Sequence, residues 1–115
     1  MPKQKFVDTD TKETIEEYLK VVNHQTAVLW ATDCAEHVIH YFEQKYPQDK
    51  GPRKAIEAAR SAGQSVATAH VFEHAIHAST YAVKSVAYAT NFDAIPIANE
   101  RTWQYQHLSD LGQTV

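Results

Sequence analysis

The stretch Gln64–Thr90, QSVATAHVFEHAIHASTYAVKSVAYAT, decides the fold. It has no Pro or Gly, and its only full charges are Glu73 and Lys84. At a rise of about 1.5 Å per residue it predicts a helix roughly 40 Å long. Val71, Ala75, Ala78, Ala82 and Val86 share one helical face, and Val66, Ala69, Ile76 and Thr80 lie on the other side. A helix that is apolar nearly all round belongs in the middle of a bundle. Its small residues let neighbouring helices come close. Its first half also carries His70, Glu73, His74 and His77, and the reading of these four is the main functional question.

The bulk properties narrow the rest. A chain of 115 residues makes one domain, 1–115, with a single core. A formal charge of −3 gives no electrostatic footprint for nucleic acid or anionic lipid. Cys34 is the sole cysteine, so no intrachain disulfide forms, which fits a reducing cytoplasm. The N-terminal MPKQKFVDTD has no apolar signal-peptide core. The Gln64–Thr90 run is interrupted too often by His, Glu and Lys to span a membrane.

Outward from the central run, the pattern stays helical. Ile15, Tyr18, Leu19 and Val22 give a stripe for a helix over about 10–22, with Asp8, Thr9 and Asp10 as N-cap candidates. Asn23 could end that helix or cap the next. A second helix is expected from His24 to Tyr46, stopped by Pro47. Its apolar face carries Ala27, Ala31, Cys34, Ala35, Val38, Tyr41 and Phe42, and its polar face Asp33, Glu36, His37 and His40. Pro47–Pro52 reads as a loop, with Pro52 suited to open a third helix over Arg53–Ser61. Gly63 leaves open whether residues 52–90 form one helix or two. Asn91-Phe92-Asp93 ends the long helix, and Pro96 opens a last one from Ile97 to Leu108. Residues 1–8 and 109–115 are expected as loose ends. The fold class is an all-α bundle of four to five helices around the long central one.

Several short patterns invite chemistry. His70-Val71-Phe72-Glu73-His74 matches H-x-x-E-H, in which two histidines one turn apart grip Zn²⁺ and the glutamate acts as base. Such short patterns arise easily in a His-rich chain, and a peptidase also needs a third ligand and a substrate groove. Glu36-His37-Val38-Ile39-His40 echoes Glu73-His74-Ala75-Ile76-His77, so a wider metal site holding Zn or Fe through His70, His74, Glu73 and His77 is an alternative. The carboxylate–histidine spacing of di-iron bundles is absent. Cys34, a lone cysteine on an apolar helix face, reads as core rather than nucleophile.

Several segments together resemble a family of small, Ala-rich helical immunity proteins of bacteria. They are Leu29-Trp30-Ala31-Thr32-Asp33-Cys34-Ala35-Glu36, Pro52–Arg60 (PRKAIEAAR) and Ala62–Val71 (AGQSVATAHV), then His74, Tyr81–Lys84 and, near the end, Glu100, Arg101, Trp103 and Gln104. The resemblance covers about residues 27–106. Its polar set is Asp33, Glu36, Arg53, Glu57, Arg60, His70 and His74, which leaves out His37, His40, Glu73 and His77. Relatives of this kind carry a longer helical insertion between the segments resembling Arg53–Arg60 and Ala62–Val71, so a second copy could cover the surface left bare here.

The resemblance implies a cytoplasmic, non-enzymatic protein that binds a toxin or bacteriocin stoichiometrically and uses no cofactor. The acidic start Asp10, Glu13, Glu16 and Glu17 is a candidate surface for a basic partner. Asp33, Glu36, His70 and His74 are expected to form a polar cluster in the core, with both imidazoles buried. The alternatives are a His-rich metal-binding protein using His70 and His74, with hydrolase activity, and a helical domain that only self-associates as a homodimer.

Overall fold

The structure, a computed structural model, describes residues 5–63 and 71–113, and of residues 61–63 only the backbone. Five helices are described: α1 Thr11–Leu19, α2 His24–Lys45, α3 Gly51–Gly63, α4 Val71–Ala89 and α5 Ala94–Gln113. The all-α bundle is as expected, and no strand occurs among the described residues. Of the expected central helix, residues 71–89 are helical, while 64–70, including His70, lie outside the described residues.

Each helix end has a local cause. Asn23 caps α2, its side chain accepting from the Thr26 N–H at 2.7 Å. Asn91 and Phe92 turn to positive φ, 58° and 63°, and the Phe92 N–H reaches back to the Ala87 carbonyl at 2.7 Å, closing α4 in a left-handed cap. Asp93 then starts α5, accepting from the Ile95 N–H at 3.0 Å. The last helix therefore begins three residues before Ile97, and Pro96 sits within its first turn, where a missing N–H costs no helical bond.

Two helices share the centre. α4 packs on α2, α5 and α1, and α2 packs on α3, α4 and α5. The expected face of α4 is largely closed off, with Val71, Ala75, Ala82 and Val86 buried and Ala78 half-buried. The helix is not enclosed all round: His74, His77, Tyr81, Ser85 and Tyr88 are exposed along its outer side. The main core joins Ile15, Leu19, Ala27, Trp30, Cys34, Val38 and Leu108 to that face of α4. A smaller cluster of Val83, Ala87 and Ile97 is covered by Phe6 and Phe92.

Of the ends expected to be loose, residues 5–8 and 109–113 are described, and several of them are tied down. Phe6 packs on the smaller cluster and Asp8 pairs with Arg101, whereas Val7 is exposed. α5 continues to Gln113, and at Gly112 it lies so close to α1 that an added Cβ would stand 2.8 Å from the Tyr18 hydroxyl.

Candidate functional site

Helix periodicity assembles a polar face from three elements. On α2, Asp33, Glu36, His37 and Glu43 recur at intervals of three, one and six residues, so they form a ridge. On α3, Arg53 and Arg60 lie two turns apart on the side facing that ridge. On α5, Glu100, Trp103 and His107 follow at i, i+3 and i+7.

These side chains interlock. Arg60 Nη1 donates to Asp33 Oδ1 at 2.7 Å, and Arg60 Nη2 donates to Glu36. Arg53 donates to Glu36 Oε1 at 3.1 Å and to both oxygens of Glu43, at 2.9 and 3.3 Å. The second oxygen of Asp33 stands 2.6 Å from His107 Nε2. His37 Nδ1 lies 2.9 Å from Glu100 Oε2. The Trp103 indole stacks with both histidines, with His37 at 3.6 Å and planes 4° apart, and with His107 at 4.9 Å and 13°. Each imidazole thus binds a carboxylate of the opposite helix, which fixes the nitrogen that carries the proton and locks α2 to α5. The Arg53 hydrogen bond holds the Glu43 carboxyl below its usual range, and Asp33 and Glu36 raise the Arg60 guanidinium above its own.

Beneath this face lies a second, buried network. Arg101 has 0 % exposure. Its guanidinium donates to Asp8 through Nε and Nη2 at 2.9 and 2.7 Å. It also donates to Ser79 Oγ at 3.0 Å, Gln104 Oε1 at 2.9 Å and Thr80 Oγ1 at 2.8 Å. Gln104 Nε2 donates to the Ser79 carbonyl, and the Trp30 indole N–H donates to the Gln104 carbonyl at 2.8 Å. One cation therefore ties the N-terminal segment, α4 and α5 together, and α2 joins through Trp30. Burial alone would raise the Asp8 carboxyl, but Arg101 and the Thr9 N–H together pull it below its ordinary value. Cys34 is buried, and that burial, with the Glu100 charge next, pushes its thiol well above the ordinary range. It is a core thiol, not an activated nucleophile.

Of the polar cluster expected in the core, the structure describes Asp33, Glu36 and His74. Asp33 and Glu36 do come together, but their partners are Arg60, Arg53 and His107. His74 is exposed, because Val71, Ala75 and Ala82 turn inward and carry it to the outer side of α4. Glu73 and His77 are exposed on the same helix, and His70 lies outside the described residues. Among the described residues no three of His, Cys, Asp or Glu are grouped to hold a metal ion. His37 is exposed yet stacked and bonded, and His40 is exposed beside Tyr41. On α1, Asp10, Glu13 and Glu17 are exposed, and Glu16 pairs with Lys12 at 3.9 Å. His107 was legible only as the residue one turn beyond Trp103. Asp8 read as a cap, although a capping carboxylate and an arginine acceptor look alike in sequence.

Residues 17–62 and 56–111 match the family described as Imm-5 like putative immunity protein. The chain belongs to this family. The match takes in α2, α3 and α4 whole and nearly all of α5, so both networks except Asp8 lie within the immunity-family pattern. Of the residues that carry the family resemblance, Trp30, Asp33, Glu36, Arg53, Arg60, Glu100, Arg101, Trp103 and Gln104 converge on the two networks, whereas Glu57 and His74 are exposed and His70 lies outside the described residues. No curated protein and no solved structure matches the chain. Among the described residues, no helix is long and apolar enough to cross a membrane.

Proposed function

We propose that this member of the immunity family acts in the cytoplasm of its producing cell by binding a toxin or bacteriocin one to one, without catalysis and without a cofactor. The observation that carries this reading is the family match over residues 17–111. The chemistry of the polar face supports it. Both oxygens of Asp33, both of Glu36 and both of Glu43 already accept from arginine or histidine. Such a network holds a surface in shape, and it leaves little free acid or base for turnover. The exposed carboxylates Asp10, Glu13 and Glu17, with Glu16 beside them, supply a separate acidic patch that steers a basic partner. All of this patch but Glu17 lies before residue 17 and so outside the family match, which leaves it free to encode the choice of partner.

The test is co-expression with the toxin encoded beside this gene. Growth should be rescued, an equimolar complex should co-purify, and inhibition should be complete at one equivalent. The toxin's mass should be unchanged after incubation. No rescue with no complex would remove the reading. Inactivation of many equivalents of toxin by one of this protein would replace binding with catalysis. Reversing Glu13 and Glu17 to Lys should slow association and reduce its dependence on salt.

A further inference from the structure

Residues 5–8 lie against α4 and α5 without belonging to any helix. Their exposure alternates: Lys5 and Val7 are exposed, Phe6 and Asp8 half-buried. That is the period of an extended segment with one side against the bundle. Among the described residues, no backbone–backbone hydrogen bond holds residues 5–8. Two side chains hold this strap instead. Phe6 covers Val83, Ala87 and Ile97, with the Lys84 ammonium 5.9 Å from its ring centre. Asp8 takes Nε and Nη2 of Arg101 in a bidentate pair.

The seat under the strap is built by the two helices alone. Ser79, Val83 and Ala87 recur every four residues on α4, and Ile97, Arg101 and Gln104 follow at i, i+4 and i+7 on α5. One end of the seat is apolar, and the other is a guanidinium. Ser79, Gln104 and Thr80 take three of its N–H groups, which leaves Nε–H and one N–H of Nη2 aimed at a carboxylate. A clamp fixed in this way loses little freedom when its ligand arrives. The strap does not fill the seat perfectly. Thr9 Oγ1 is buried with no hydrogen-bond partner among the described residues, a cost that a segment without that hydroxyl avoids.

We infer that the α4–α5 seat is a recognition site for a protein segment carrying an aromatic side chain two residues before a carboxylate, and that Phe6-Val7-Asp8 occupies it in cis. A segment of the same chemistry on another protein competes for the seat. The short tether gives the strap an effective concentration on the order of millimolar. The strap therefore sets a threshold: a segment that fits better displaces it, and weaker ones do not. The inference concerns this seat and stands independently of toxin binding.

The probe is the synthetic peptide KFVDTD, the sequence of residues 5–10, added to the full chain carrying Phe6→Ala and Asp8→Asn. The emptied seat should bind it saturably, one peptide per chain, with NMR shift changes centred on the Arg101 Nε–H and the Ile97 methyl groups. The wild type should bind it about tenfold more weakly or less, because its own strap competes. The same peptide with Asn in place of its first Asp should bind the variant about tenfold more weakly, since it loses the charged acceptor. No binding to the folded variant overturns the inference, and so does equal binding to variant and wild type. A second measurement keeps the strap intact. Ala87→Cys places a thiol under Phe6, and the buried Cys34 of the same chain is the internal standard. The new thiol should react about tenfold faster than Cys34 or more, through lifting of the strap alone. Equal rates would mean that the strap leaves only when the whole chain unfolds, and would overturn the inference.

Discussion

The chain has three arginines, and they divide the molecule into a closed side and an open one. Arg101 is wholly buried where α4 and α5 meet the N-terminal segment, and five hydrogen bonds satisfy its guanidinium. Arg53 and Arg60 on α3 are each about one-third exposed, at 34 % and 33 %, and hold their carboxylates at the water's edge. The same side chain does different work in the two places. A buried guanidinium is tolerable only with complete pairing, so Arg101 fixes the relative position of every element that supplies a partner. An exposed one competes with water and salt, so Arg53 and Arg60 orient α3 without anchoring it.

The contrast should be visible in four measurements. Cys34 lies on the closed side, and its thiol is both buried and held protonated. Thiol reagents should therefore react only through global opening, slowed by a factor set by the full folding free energy, of order 5–15 kcal/mol. Rapid labelling in native buffer would show that the closed side opens locally.

Arg101→Ala should come next, costing about 3–5 kcal/mol in urea unfolding because Asp8, Ser79 and Gln104 lose their shared donor. A cost below about 1 kcal/mol would place Arg101 with the surface arginines.

Removing only its charged acceptor tests the same hub more gently. Asp8→Asn should cost about 1.5–3 kcal/mol at neutral pH. The folded carboxyl is depressed, so the native state binds its proton less readily than the unfolded chain does. Its contribution is complete above the unfolded value, about 3.9, and falls away as pH drops through the lower folded value. The stability difference between wild type and Asp8→Asn should narrow over that acid window, and a constant difference would contradict the linkage.

The smallest effects belong to α3. Arg60→Ala should cost less than about 1 kcal/mol, Arg53→Ala should barely move the urea midpoint, and added salt should shrink both effects further. A cost near that of Arg101→Ala would mean that α3 is anchored as firmly as the closed side.

These differences show where sequence reading succeeded. Asn23, Pro47 and the Asn91-Phe92-Asp93 turn were placed correctly because caps and breakers act through neighbouring residues. Asp33 and Glu36 were recognised as a pair because they lie one turn apart on α2. Of the partners expected for them, His74 is exposed on α4 and His70 lies outside the described residues. Helical phase places a residue on a face, but it does not say which neighbouring helix that face meets. The carboxylates of α2 turned toward α3 and α5, where Arg60 and His107 stand.

The sequence by itself determined the all-α class, the helix caps, the inward face of α4 and the family, since each is carried by local spacing or by short ordered segments. Only the tertiary structure decided that the long apolar helix is open on one side. Only it could show that Arg101 is the buried hub and that His37, Trp103 and His107 form one stack. Each feature depends on a contact between residues far apart in the chain, 63 positions for His37–Glu100 and 93 for Asp8–Arg101. Pairings over such distances follow from how whole helices pack, which no local pattern encodes.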